Sequence, residues 1–388
     1  MTDQTITPDQ ARYQRQMQYE PIGATGQRKL SQARVLLVGC GALGTVLAET
    51  LVRAGVGHLK IVDRDFIELN NLQRQVLFDE DDLHAALPKS IAAARKLQRI
   101  NSQVTIEAEV VDVNHTNIER LAGVSGADAL VGTMRPSQTT EERIGITTRY
   151  DLLLDGTDNF ETRYLLNDVS IKYGIPWIYG ACVAAQGLAM VIRPEVSPCL
   201  RCVFETMPPA GMSPTCDTAG IIAPAVQIVA SWQAAEALKL LTGNHVAVSP
   251  YLLSFDLWQN RFQQIDMSKA RNAADCPVCR QGRYEFLSGQ GGSATTTLCG
   301  RNAVQVSPPP MSAGTSGAVS AEHPKLDLAR LAESLRASGT VTYNAFLLKC
   351  QLRENSCEIT LFPDGRAIIK GTNDPAVARA LYARYIGH

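Results

Sequence analysis

The stretch Arg34-Val35-Leu36-Leu37-Val38-Gly39-Cys40-Gly41-Ala42-Leu43-Gly44 decides the fold. A short apolar run reads as a buried strand, it breaks on glycines, and helical spacing follows through Val52. This is strand, glycine turn, helix. Glycines in such a turn let the backbone approach a phosphate, whose charge then sits beside the free N–H groups of the helix N-terminus. A second apolar run, His58 to Val62, ends at Asp63, about twenty residues past the glycines, where a dinucleotide fold places its ribose-binding carboxylate. Taken alone, G-x-G-x-x-G fits NAD, FAD and ATP alike, and glycines also simply pack helices on strands.

Outward from this stretch the alternation continues. A helix is expected from Pro88 to Ile100, and strands at Val104 to Val111, Asp151 to Leu154 and Trp177 to Tyr179. That order implies an α/β, Rossmann-like fold, a mostly parallel sheet flanked by helices. The polar segment Gly123 to Tyr150, rich in Thr, Gly and Arg, reads as a surface insertion. A later helix opens at Pro224, runs through Leu240 and Leu241, and stops at Gly243.

Composition excludes several functions. Lys plus Arg number 37 against 38 Asp plus Glu, so there is no basic field to hold nucleic acid or an anionic membrane. The N-terminal MTDQTITPDQARYQRQ lacks a secretory apolar core, and no stretch reaches the roughly 20 apolar residues of a membrane span. A cytoplasmic protein is expected. Its ten cysteines should then serve metal ligation, reactivity or burial rather than disulfides. Cys199-Leu200-Arg201-Cys202 and Cys276-Pro277-Val278-Cys279 each offer two thiolates from one tight turn, enough to close a tetrahedral, structural Zn2+ site. The rival reading is two unrelated turns with buried cysteines.

More specific residues follow in Asp63-Arg64-Asp65-Phe66-Ile67-Glu68-Leu69-Asn70-Asn71-Leu72-Gln73-Arg74-Gln75, in Lys89, and in Asp155-Gly156-Thr157-Asp158-Asn159. On these motifs the chain resembles the ThiF/MoeB/HesA family, relatives of the ubiquitin-activating enzymes. The resemblance runs from Arg12-Tyr13-Gln14-Arg15-Gln16 through about Arg280, with N-L-Q-R-Q, T-D-N and the paired C-x-x-C in the family's order. It implies an enzyme that uses ATP to adenylate the C-terminal carboxylate of a ubiquitin-like sulfur-carrier protein ending in Gly-Gly, in thiamine or molybdopterin synthesis. Two anions must meet in that reaction, and cationic side chains with Mg2+ must offset their repulsion.

By this resemblance Arg74 and Lys89 contact the phosphates, Asp158 holds magnesium, and Asp63 holds the ribose. Asp65, Asn71 and Asn159 line the same pocket, above the turn of Gly39, Gly41, Ala42 and Gly44. Ala42 stands where many relatives carry a further glycine. Arg15 matches a residue that reaches the neighbouring subunit's nucleotide, which implies a homodimer. Cys216, on a loop rich in Pro and Gly, matches a cysteine that in some members forms a covalent sulfur link with the carrier, which implies a persulfide donor. Each assignment has a plain rival: Asp63 ending a strand, Arg74 and Lys89 as solvated charges, Asp158 as a turn residue, Cys216 as a loop residue. A non-catalytic zinc-binding scaffold, or activation of another ubiquitin-like modifier, is the alternative function.

The adenylation domain is expected to span residues 1–287, a linker 288–294, and a small α+β domain 295–388. In the last, a strand near Ala303 to Val306 and a helix from Asp327 to Ala337 precede three strands, Thr340 to Leu348, Cys357 to Phe362 and Ala367 to Lys370. Asp374-Pro375 then opens a helix ending near Gly387. Cys40, Cys182, Cys299, Cys350 and Cys357 have no ligand spacing and read as buried.

Overall fold

A computed structural model describes residues 8–124, 149–207, 219–271, 275–291, 297–298, 302–306, 326–353 and 356–386. Most of the expected insertion and Cys216 and Cys299 lie outside the described residues. The chain divides into two compact units, one of the described residues up to 291 and one of those from 297.

In the first unit, β1 (Arg34–Val38) lies between β2 (His58–Val62) and β4 (Leu152–Asp155), with β3 (Thr105–Glu109) outside β2 and β5 (Trp177–Val183) outside β4. These five strands are parallel, and Val38 stands opposite both Val62 and Asp155. Their C-terminal ends, where ligands bind in open α/β sheets, therefore share one edge. Alternation along β1 sends Val35 and Leu37 into one core and Leu36 and Val38 into another. The first core takes helices Ala42–Ala54, Lys89–Ile100 and Ala223–Thr242; the second takes Phe160–Tyr173. Each fully buried Leu here stabilises by about 1.5–3 kcal/mol relative to exposure.

Beyond β5 the sheet turns antiparallel through β6 (Gln186–Ile192), β7 (Tyr251–Asp256) and β8 (Arg261–Asp266). Sequence patterning does not announce these three strands. β6 opens on Gln-Gly, and every residue of β8 is exposed, so there is no buried face to alternate. Helices Pro8–Met17 and Gly23–Leu30 are likewise additions. No helix among the described residues is long and apolar enough to cross a membrane.

The second unit holds a six-stranded antiparallel sheet, ordered β11 (Gly339–Tyr343), β12 (Leu348–Leu352), β13 (Glu358–Leu361), β14 (Ala367–Lys370), β10 (Ala303–Val306) and β9 (Thr297–Leu298), with helices Leu328–Leu335 and Pro375–Tyr385 capped by Asp327 and Asp374. One expectation is corrected. Thr340 to Leu348 is not a single strand but parts of β11 (Gly339–Tyr343) and β12 (Leu348–Leu352), so four strands follow the helix. The break is Asn344, whose Oδ1 accepts the N–H groups of Phe346 at 2.8 Å and Leu347 at 3.0 Å, a side-chain-closed turn. β13 (Glu358–Leu361) and β14 (Ala367–Lys370) then pair across the Pro363–Gly365 turn, and β10 (Ala303–Val306) and β9 (Thr297–Leu298) complete the sheet. Cys350 and Cys357 are buried, as expected. In the stretch expected as a linker, Ser288, Gly289, Gln290 and Gly291 close hydrogen-bonded turns onto Tyr284, Glu285 and Phe286.

Candidate active site and metal centre

The site begins where β1 and β4 end. Gly39 has φ +89°, and a Cβ there would stand 2.5 Å from the carbonyl oxygen of Gly156. The two strand ends touch, and only glycines permit it. Gly44 packs as tightly on the Gly39 carbonyl, whereas a Cβ on Gly41 would meet only Gln75 Nε2, at 3.8 Å. Ala42 opens helix Ala42–Ala54, and Gly41 is its N-cap, so the free N–H groups of that helix face this edge.

Asp63 follows β2 and secures the turn. Its carboxylate accepts the N–H of Cys40 at 2.5 Å and that of Asp65 at 2.6 Å. Burial pushes its pKa up to about 6, Lys89 opposes this, and Asp65 adds to it. Burial also raises the Cys40 thiol well above its usual range, so Cys40 is an inert packing residue. Lys89 is 3% exposed, and its Nζ bonds Asp65 Oδ2 at 3.1 Å. A buried ammonium opposite a carboxylate, beside helix N–H groups, supplies positive charge where a phosphate would sit.

Asn71 ends the short helix Leu69–Asn71, and Arg74 lies in the turn that follows. Asn71 is buried and its Oδ1 accepts the Glu68 N–H at 3.1 Å, while half-buried Arg74 donates to the Asn70 carbonyl at 2.7 Å. Gln75, from the same turn, is buried against Gly41, and its Oε1 has no hydrogen-bond partner among the described residues. An unsatisfied buried acceptor at a glycine turn fits a nucleotide donor group.

The turn after β4 carries Asp158. It is exposed, and its carboxylate makes no hydrogen bond among the described residues, a hard oxygen donor of the kind magnesium prefers. Asn159 instead caps helix Phe160–Tyr173, its Oδ1 accepting the Thr162 N–H at 2.8 Å. Arg15 stands exposed on helix Pro8–Met17 and meets Gln18 Oε1 at 3.4 Å.

Sequence reasoning assigned no role to three buried residues beneath this turn. Asp155 Oδ2 meets Arg163 Nε at 3.1 Å, and Gln233 donates to the carbonyls of Asp155 at 3.0 Å and Ile178 at 3.2 Å. Their signal was available only as polar residues in otherwise apolar surroundings, Asp155 at the end of the run Leu152–Asp155 and Arg163 and Gln233 on helices. Arg64 was also missed. Burial pulls its pKa down, but Asp112, at 2.7 Å, with Asp65 and Asp158, outweighs that and holds it above normal.

Cys199, Cys202, Cys276 and Cys279 converge from two segments far apart in sequence, all four sulfurs within 4.8 Å of one another. Sulfur separations of 3.7 Å for Cys199–Cys202, 3.6 Å for Cys199–Cys276 and 3.4 Å for Cys202–Cys279 approach the ~3.8 Å edge of a tetrahedron with zinc–sulfur bonds of about 2.3 Å. The donor set and spacing fit zinc, which would hold all four as thiolates.

The ThiF family model matches residues 13–278. The sulfur carrier protein ThiS adenylyltransferase of Bacillus subtilis is 42% identical over 377 residues, 97% of this chain and 99% of that protein. The sulfur carrier protein adenylyltransferase of Thermus thermophilus is 35% identical over 273 residues, 69% of this chain and 90% of that protein. The crystal structure of E. coli MccB with ATP aligns with a TM-score of 0.54 and 20% identity, covering 69% of this chain and 74% of that one, a likeness of fold alone. On the family match over residues 13–278 and the 42% identity over nearly the whole chain, the chain belongs to the ThiF family.

Proposed function

We propose that this chain uses ATP to adenylate the C-terminal carboxylate of a ubiquitin-like sulfur-carrier protein, in thiamine or molybdopterin synthesis, releasing pyrophosphate. One observation carries the reading: the match to a ThiS adenylyltransferase runs almost end to end in both chains, 97% of this one and 99% of that one.

The chemistry follows from the residues. The glycine turn and the N-terminus of helix Ala42–Ala54 bind phosphate, and Asp63 accepts the ribose hydroxyls. Lys89 and Arg74 draw charge from the triphosphate as the carboxylate attacks the α-phosphorus and pyrophosphate leaves. Lys89 begins bonded to Asp65, so phosphate competes for an ammonium already desolvated and aimed. Asp65 and Asn71 shape the pocket wall, and Asn159 holds the Asp158 turn by capping its helix. Asp158 would bind magnesium, which when bound neutralises phosphate charge. The four cysteines would hold zinc as a closed structural site, with no position left for water.

Exposed Arg15 would reach the nucleotide of a second copy, making the active enzyme a homodimer. Cys216 would attack the acyl-adenylate or carry sulfur from a persulfide donor to the carrier. The test is ATP–pyrophosphate exchange with purified candidate carriers ending in Gly-Gly. Carrier-dependent exchange supports the reading; nucleotide binding without exchange for any carrier would favour a scaffold. Asp158→Asn should abolish exchange and leave the fold intact, because a neutral amide is nearly isosteric yet holds magnesium poorly.

A further inference from the structure

Asp158 has an exposed carboxylate on a short turn, yet a metal ligand must be held to within about 0.5 Å to work. What holds it is Arg163. This guanidinium is 6% exposed and sits between the rings of Phe160 and Tyr179, 5.6 Å and 5.4 Å from their centroids. Its Nε donates to Asp155 Oδ2 at 3.1 Å, and its Nη2 donates to the carbonyls of Thr157 at 2.8 Å and Gly180 at 3.2 Å.

The Thr157 carbonyl belongs to the peptide bond that leads into Asp158. Asp155 completes the frame from the other side, accepting the Thr157 N–H at 2.8 Å and its hydroxyl at 2.7 Å. Both polar backbone groups of Thr157 are therefore tied to one buried ion pair. Between them, Gly156 donates its N–H to Val38 at 2.8 Å and packs on Gly39. The same frame sets the distance between the glycine turn and Asp158.

We infer that Arg163 is a positioning residue: its guanidinium fixes the Asp155–Asp158 turn so that Asp158 and the glycine turn engage one magnesium–nucleotide complex together. This rests on the reading of Asp158 given under Proposed function. Plain stability is the competing account of a buried Arg–Asp pair, and such pairs are poor stabilisers compared with apolar replacements. The fork geometry favours positioning, because three acceptors, two at the end of β4 and one within β5, need a planar donor that a lysine cannot replace.

The test is calorimetric binding of a non-hydrolysable ATP analogue to the full chain, with magnesium and with EDTA. Arg163→Lys keeps the charge facing Asp155 but loses the fork; Asp155→Leu with Arg163→Met removes the pair without leaving a buried orphan charge. Circular dichroism and zinc content establish folding of each. Expected is a magnesium-linked gain in affinity reduced by roughly tenfold or more in both, with metal-free binding unchanged. Folded variants that keep the full magnesium gain would overturn the inference. Failure of both to fold would make the pair a stability element and would overturn it too. Asp158→Asn separates the two readings: if it keeps the magnesium gain, the assignment of Asp158 itself falls. If it loses the gain while the Arg163 variants keep theirs, only the positioning role falls.

Discussion

Gly39 and Gly156 meet at the ends of neighbouring parallel strands, so closely that a Cβ on Gly39 would stand 2.5 Å from the Gly156 carbonyl oxygen. The reverse holds as well, since a Cβ on Gly156 would run into the Gly39 carbonyl and the Cα of Gly44. Gly156 has no positive φ, so a methyl group there tests space alone. Gly156→Ala should destabilise by about 1–3 kcal/mol, the scale of overpacking, and weaken nucleotide binding by pushing the turns apart. Thermal melts and calorimetric ATP titration measure both, and wild-type affinity in a folded variant would refute the shared-edge reading.

In its proposed ribose-binding role, Asp63 should make nucleotide binding depend on pH. Its pKa is raised from 3.8 to about 6, mainly by burial. The protonated form thus favours the folded state, a contribution complete below about pH 4 and lost as pH climbs through 6. Binding runs the other way, because the carboxylate accepts ribose hydroxyls better than the acid. ATP affinity should therefore rise with pH through about 6, and Asp63→Asn should flatten that rise. An unchanged profile in the variant would assign the titration to another group.

The cysteine cluster should contain one zinc ion per chain, measurable by metal analysis. Removing it, or replacing Cys276 by Ser, should lower the melting midpoint by roughly 5 °C or more, since each kcal/mol is worth about 2–4 °C in a domain of this size. Exchange activity at temperatures below the new midpoint should persist, because a closed cluster takes no part in the reaction. Metal-free protein that melts unchanged would remove the structural role.

Cys216→Ala should leave pyrophosphate exchange largely intact while impairing thiocarboxylate formation on the carrier when a persulfide donor is supplied. In the proposed reaction Lys89, Arg74 and Asp158 serve formation of the acyl-adenylate, which needs no thiol, whereas sulfur transfer needs a nucleophile. Normal thiocarboxylate formation would mean that sulfur comes directly from another protein. Loss of exchange would mean that the loop helps to build the adenylation site.

Local chemistry explains what the sequence determined by itself. β1 and β2 match the runs from Arg34 to Val38 and His58 to Val62 residue for residue, because a buried parallel strand must be apolar and a glycine turn must break it. Asp63, Asp65 and Lys89 stand near one another because β2 and helix Lys89–Ile100 deliver them to one sheet edge. The cysteine pairs were legible for a similar reason: a two-residue spacer already puts two sulfurs on one turn. Only the tertiary structure decided the rest. β8 has no buried face and so no readable pattern, and one strand in the second unit became two at Asn344, whose turn competes with an otherwise β-prone run. Asn159 proved to be a helix cap, a role shared by surface and site residues alike. Arg163 and Asp155 lie eight residues apart and become a pair only when a strand end and a helix fold onto each other. Asp158 was named in the sequence only through the family resemblance; the buried frame beneath it was not legible, because its bonds run to backbone atoms that carry no residue identity.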